Sequence, residues 1–128
     1  MKLAFVYAGQ GSQFAGMGKD LYENYPAARA VFDQFPADFD LRTTCFEDPE
    51  GLLNQTRYTQ PCMLAVAMAI TDILAENGIT PEMTAGLSLG EYSALYCAGV
   101  LDRQTAAELI TLPGTGHAEG LCRAWKAA

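Results

Sequence analysis

The chain has 128 residues, half of them hydrophobic, which is enough for one modest domain with a buried core and argues against disorder as a whole. Its net charge of -7, from 15 acidic and 8 basic residues with no Lys/Arg cluster, excludes a nucleic-acid surface and a basic membrane patch. Four scattered cysteines (Cys45, Cys62, Cys97, Cys122) without C-x-x-C spacing predict free thiols in a reducing cytoplasm and no metal site.

Leu3-Ala4-Phe5-Val6-Tyr7 is a continuous apolar run that predicts a buried parallel strand, and Gly9-Gln10-Gly11 after it predicts a loop at the strand's carboxyl end. Two short helices follow, one over Asp20-Leu21-Tyr22 and one from Pro26 to Phe32 with proline at its first position. Residues 35–57 read as mostly loop, with one helical turn near Leu52.

The longest predicted helix opens at Thr59-Gln60-Pro61, with Thr59 as cap, and stops at Asn77-Gly78. Its middle, Met63 to Ile70, is apolar on every face and predicts a central, buried element. The most apolar stretch, Pro61 to Leu74, contains Asp72 and falls short of the ~20 residues that cross a bilayer, so no membrane span is expected. A short strand over residues 82–87, a helix from Gly90 to Ala98 and another from Arg103 to about Leu112 complete the pattern. Strands alternating with helices imply an α/β fold with a parallel sheet.

Gly86-Leu87-Ser88-Leu89-Gly90 stands where the second strand hands over to a helix, and G-x-S-x-G there describes a serine nucleophile on a tight elbow. The N–H groups at that helix start can bind negative charge developing on a substrate carbonyl. A glycine-bounded turn with serine as helix cap is the simpler alternative. Gly9-Gln10-Gly11-Ser12-Gln13 is a second glycine-bracketed loop; Phe14 breaks any G-x-G-x-x-G spacing, so nucleotide binding is not expected.

Taken in order, Gly9-Gln10-Gly11-Ser12-Gln13, Thr59-Gln60-Pro61 and Gly86-Leu87-Ser88-Leu89-Gly90-Glu91-Tyr92-Ser93-Ala94-Leu95 resemble the malonyl-CoA:acyl carrier protein transacylases of fatty acid synthesis, from Met1 to about Leu112. The resemblance implies an α/β-hydrolase-like core, into which the full-length family inserts a ferredoxin-like subdomain that is absent here. It implies that Ser88 attacks the malonyl thioester of malonyl-CoA, holds the malonyl group as an ester and yields it to the phosphopantetheine thiol of acyl carrier protein, with no cofactor of its own. It further implies an oxyanion hole from the backbone N–H groups of Gln10 and Leu89. Gln60 either lines the acyl pocket or simply sits in the first turn of a buried helix. Glu91 reads as a carboxylate stabilised at a helix N-terminus.

Leu87 stands where the family most often has His. The family's catalytic His, its malonate-clamping Arg and its later Asn/Gln contacts have no counterpart. Where the family pattern resembles R-G-x-x-M-Q, this chain has Pro113-Gly114-Thr115-Gly116-His117-Ala118, whose codons, read one base later, are compatible with that motif. Residues 113–128 are therefore expected to be a frameshifted tail outside the family pattern, and residues 1–112 the N-terminal part of the acyltransferase domain. His117, the only imidazole, has nothing identifiable to orient it and is not expected to serve as base. Two other readings stay open: a small serine esterase or thioesterase, and a truncated, non-catalytic product. A strand beginning right after Met1 suits a free-standing protein rather than a domain cut from a synthase.

Overall fold

A computed structural model describes residues 2–111, in the order β1 (Ala4–Tyr7), α1 (Lys19–Asn24), α2 (Pro26–Gln34), α3 (Leu41–Phe46), α4 (Thr56–Glu76), β2 (Met83–Gly86), α5 (Gly90–Cys97) and α6 (Arg103–Thr111). The expectations placed on residues 113–128, the frameshift, Cys122 and His117 among them, lie outside the described residues.

β1 and β2 pair in parallel, Ala4 opposite Met83 and Tyr7 opposite Gly86, so the α/β architecture with a parallel sheet is as predicted. The expectation of a strand buried on both faces needs correction. Among the described residues helices cover only one face: the Thr84 hydroxyl there donates to the Ala94 carbonyl at 3.0 Å, and Tyr7 and Thr71 hydroxyls meet at 2.7 Å. On the other face Val6 is 78% and Met83 63% exposed. A run of apolar residues reports what a strand can bury, not what covers it.

α4 is the core helix, with α2, α3, α5 and α6 packed around it and Leu64, Ala65, Met68 and Ala69 fully buried. It starts three residues earlier than predicted, behind Gln55, because the Leu52–Gln55 segment is a turn rather than a helical one. The Asp48 carboxylate accepts from the Leu52 and Leu53 N–H groups at 2.7 and 3.1 Å and fixes that turn. Thr59 is thus no cap: its hydroxyl, fully buried, donates to the Leu53 and Gln55 carbonyls, tying the turn to the helix. Pro61 lies inside the second turn. The stop at Asn77-Gly78 is as predicted: Gly78 has φ 74°, and the Ile79 N–H reaches back to the Leu74 carbonyl at 2.9 Å in a Schellman closure.

By length and apolarity alone this 21-residue helix reaches what a membrane span needs, longer than the sequence predicts. Among the described residues its packing is that of a core helix on one side only. The stripe Met63, Val66, Ala67, Ile70 and Leu74 is left facing a cavity of about 720 Å³ beside β1.

The stretch 35–57, read from the sequence as mostly loop, holds the helix α3. Its signal was a cap: Asp40 accepts from the Thr43 N–H at 3.2 Å and from its hydroxyl at 2.8 Å, and the helix buries Leu41, Thr44 and Cys45. Those two bonds hold the Asp40 carboxyl below its ordinary value. Asp102 caps α6 in the same way, through the Thr105 N–H at 2.7 Å. Cys45, Cys62 and Cys97 are free thiols.

Candidate active site

Ser88 stands at φ 55°, in the left-handed region that a residue with a Cβ enters at a cost of about 1–3 kcal/mol. The reversal is so tight that a Cβ on Gly86 would lie 2.0 Å from the Gly90 carbonyl oxygen, and one on Gly90 2.3 Å from that of Tyr7. No side chain fits at either position, which is why glycines flank the serine at this spacing. Buried Leu89 anchors the turn, while Leu87 and Ser88 face solvent. The Gly90 and Glu91 N–H groups are used within the elbow, on the Leu87 and Ser88 carbonyls at 3.0 Å each.

The Gln10 loop lies directly against this elbow. A Cβ on Gly9 would come within 2.8 Å of the Leu87 carbonyl oxygen, so the loop can approach only because Gly9 has none. Its shape is held by side chains: Gln13 accepts from the Gly11 N–H at 2.7 Å and donates to Asn54 at 2.9 Å, and the Gln10 amide donates to the Thr56 hydroxyl at 2.9 Å. The loop is thereby clipped to the start of α4. Asn54 and Thr56 were invisible as partners in the sequence, because nothing in a loop's composition says which distant hydroxyl or amide will meet it.

A strained serine between two obligatory glycines, ending a parallel strand and opening a helix, has the geometry of a G-x-S-x-G elbow. The family model for the acyl transferase domain matches residues 4–115. The chain belongs to the acyl transferase domain family. It is 44% identical over 115 residues to the malonyl CoA-acyl carrier protein transacylase of Bacillus subtilis (strain 168), covering 88% of this chain and 36% of that one. Among solved structures, the malonyl CoA-acyl carrier protein transacylase of Clostridium perfringens superposes with a TM-score of 0.82 at 41% identity, covering 87% of this chain and 36% of that one. A malonyl-transacylase in complex with a type II PKS acyl-carrier protein superposes with a TM-score of 0.79 at 42% identity, over 87% and 37%. This chain spans little more than a third of the length of these relatives.

Within this acyl transferase domain the backbone N–H groups of Gln10 and Leu89 engage no acceptor among the described residues. Gln60 is half-buried on α4, one turn beyond Thr56 and so on the face that holds the Gln10 side chain. Glu91 is in the first turn of α5, as expected, but its Oε2 is buried without a hydrogen-bond partner among the described residues, a feature the sequence did not signal. Burial, and then the charge of Glu91, pushes the neighbouring Tyr92 hydroxyl up. The cation nearest the elbow helix in sequence, Arg103, is committed elsewhere: it donates to Asp72 at 2.9 Å and to Gln34 at 3.2 Å. Asp72 also accepts from the Tyr96 hydroxyl at 2.5 Å, and burial followed by that bond pushes Tyr96 up to about 12.

Proposed function

We propose that this chain carries the nucleophilic part of a malonyl-CoA:acyl carrier protein transacylase. Ser88 Oγ attacks the thioester carbonyl of malonyl-CoA, coenzyme A leaves as its thiol, and the malonyl ester on Ser88 is then taken by the phosphopantetheine thiol of acyl carrier protein. The single observation that carries this reading is the φ 55° elbow at Ser88, with the Gln10 loop packed on it through Gly9. The names of its relatives at 41–44% identity supply the substrates, and the complex with a carrier protein supplies the partner.

In this reading the Gln10 and Leu89 N–H groups form the oxyanion hole, supported by their lack of any other acceptor among the described residues and by the α5 N-terminus behind them. Gln60 lines the acyl pocket, supported by its place one turn from Thr56. Residues 1–112 are the N-terminal part of the domain, and the family model, which runs on to residue 115, leaves only the residues beyond it as a tail outside the family pattern. The protein works in the cytoplasm, in keeping with its free thiols.

Incubation of the whole chain with malonyl-CoA, followed by intact-mass measurement and peptide mapping, tests the proposal. One malonyl group on Ser88, discharged by the thiol of holo acyl carrier protein, is the expected result. No adduct, or equal labelling of Ser88→Ala, overturns it; rapid hydrolysis without transfer to the carrier thiol would instead identify an esterase.

A further inference from the structure

The half-buried Gln13 side chain is committed at both ends of its carboxamide: Oε1 accepts from the Gly11 N–H at 2.7 Å, and Nε2 donates to Asn54 Oδ1 at 2.9 Å. Only one orientation serves both partners. The Gly11 N–H can only donate, so the Gln13 oxygen must face it, and the Gln13 nitrogen is then left needing an acceptor, which Asn54 supplies. Turned the other way, the carboxamide would set its NH2 against an N–H. The Gly11 N–H is thus drawn into the loop, while the adjacent Gln10 N–H engages no acceptor among the described residues.

Asn54 is exposed, yet the chain on either side fixes its place. The Asp48 carboxylate takes the Leu52 and Leu53 N–H groups at 2.7 and 3.1 Å, Leu53 is buried, and the buried Thr59 hydroxyl holds the Leu53 and Gln55 carbonyls. Asp48 itself stands at φ 47°; it and Ser88 are the two residues other than glycine at positive φ among the described residues. Backbone strain of this kind persists where surrounding bonds enforce it, and it concentrates at functional sites. Here one strained residue is the candidate nucleophile, and the other sets the turn that reaches the loop beside it.

We propose that Asn54 is a positioning residue for the oxyanion hole, acting through Gln13. Its side-chain oxygen sets the Gln13 carboxamide, the carboxamide takes the Gly11 N–H, and the Gln10 N–H is left aimed at the oxygen of the carbonyl that Ser88 attacks. This role rests on the acyl-transfer reading of Ser88 and adds to it a residue that touches neither the serine nor the substrate. An exposed hydrogen bond contributes little to folding, so Asn54 matters to the rate of acylation and hardly to stability.

The test compares Asn54→Ala, which removes the acceptor, with Asn54→Asp, which keeps it, in the whole chain. Modification of Ser88 is followed by intact mass with malonyl-CoA and, separately, with a fluorophosphonate, whose phosphoryl oxygen draws on the same donors while phosphorus bonds to Ser88 Oγ and fluoride leaves. Asn54→Ala should lower the maximal rate with either reagent about three- to tenfold, as the loss of one neutral hydrogen bond does. The half-saturating malonyl-CoA concentration should not move, Asn54→Asp should restore most of the rate, and the melting temperatures of all three proteins should agree. Exchange of the Gly11 amide should quicken in Asn54→Ala and slow again in Asn54→Asp. Equal rates in the wild type and Asn54→Ala, a rate loss matched by a fall in melting temperature, or unchanged Gly11 exchange would overturn the role of Asn54 while leaving Ser88 acylation standing. Fluorophosphonate labelling that depends on Asn54, without any labelling by malonyl-CoA, would support the positioning role and refute the malonyl reading. Labelling by neither reagent would refute both.

Discussion

The carbonyl oxygen of Tyr7, the last residue of β1, lies 2.3 Å from where a Cβ on Gly90, the first residue of α5, would stand. The strand and the elbow helix touch backbone to backbone, and that contact brings the Gln10 loop and Ser88 to one end of the sheet. Gly90→Ala should therefore destabilise the chain by about 1–3 kcal/mol through overpacking, read as a lower urea midpoint with little change in slope. Gly11→Ala is the control, since no atom lies within 4 Å there; only its φ of 119° penalises the methyl.

Ser88 holds strain that the fold tolerates for the sake of its position. Ser88→Gly should stabilise the chain by roughly 1 kcal/mol while abolishing acylation, whereas Ser88→Ala, still a β-carbon at φ 55°, should abolish acylation with no gain. Chemical denaturation of the three proteins side by side, with malonyl-CoA labelling, separates the two effects.

No histidine occurs among residues 2–111, so the described chain holds no imidazole to take the Ser88 proton. Acylation by malonyl-CoA should be slow, of the order of 10²–10⁴ below that of an enzyme with a positioned base, and free imidazole in solution should accelerate it. Rates of adduct formation against imidazole concentration would show a positive slope; a flat line would mean that the serine is activated another way.

Leu64 is fully buried in α4, among helices on which the elbow helix also rests. Leu64→Ala should cost about 2–5 kcal/mol, more than a domain of this size can readily lose. The melting temperature should fall accordingly, and Leu87→Ala, at a 73% exposed position, should leave it almost unchanged.

Asp40 and Asp102 cap α3 and α6, and hydrogen bonds from Thr43 and Thr105 hold both carboxyls below their ordinary value of 3.8. A folded-state value below the unfolded one means that these caps contribute fully above about pH 4 and lose their contribution as pH falls through the lowered values. The stability difference between the wild type and Asp40→Ala should thus shrink on acidification below pH 4, while Asp40→Asn, an equally good cap, should stay close to the wild type at pH 7. Urea midpoints measured from pH 7 down to pH 2 would show the convergence.

Local patterns carried much of this protein. The elbow was legible because Gly86, Ser88 and Gly90 meet a steric demand that acts within five residues, and Asn77-Gly78 marked the end of α4 because a left-handed stop is likewise local. Asp40 could have announced α3, since a carboxylate three residues before Thr43 is a capping signal even where hydrophobic periodicity is weak. Thr59 misled because a buried hydroxyl bonded to Leu53 and Gln55 has the same local appearance as a cap, and only the turn set by Asp48 distinguishes them. The tertiary structure alone decided that Gln10 meets Thr56, that Gly9 lets the loop rest on Leu87, and that no described residue covers the outer apolar faces of β1 and α4. Those relations join residues tens of positions apart, and the sequence shows that a face is apolar without showing what will lie against it.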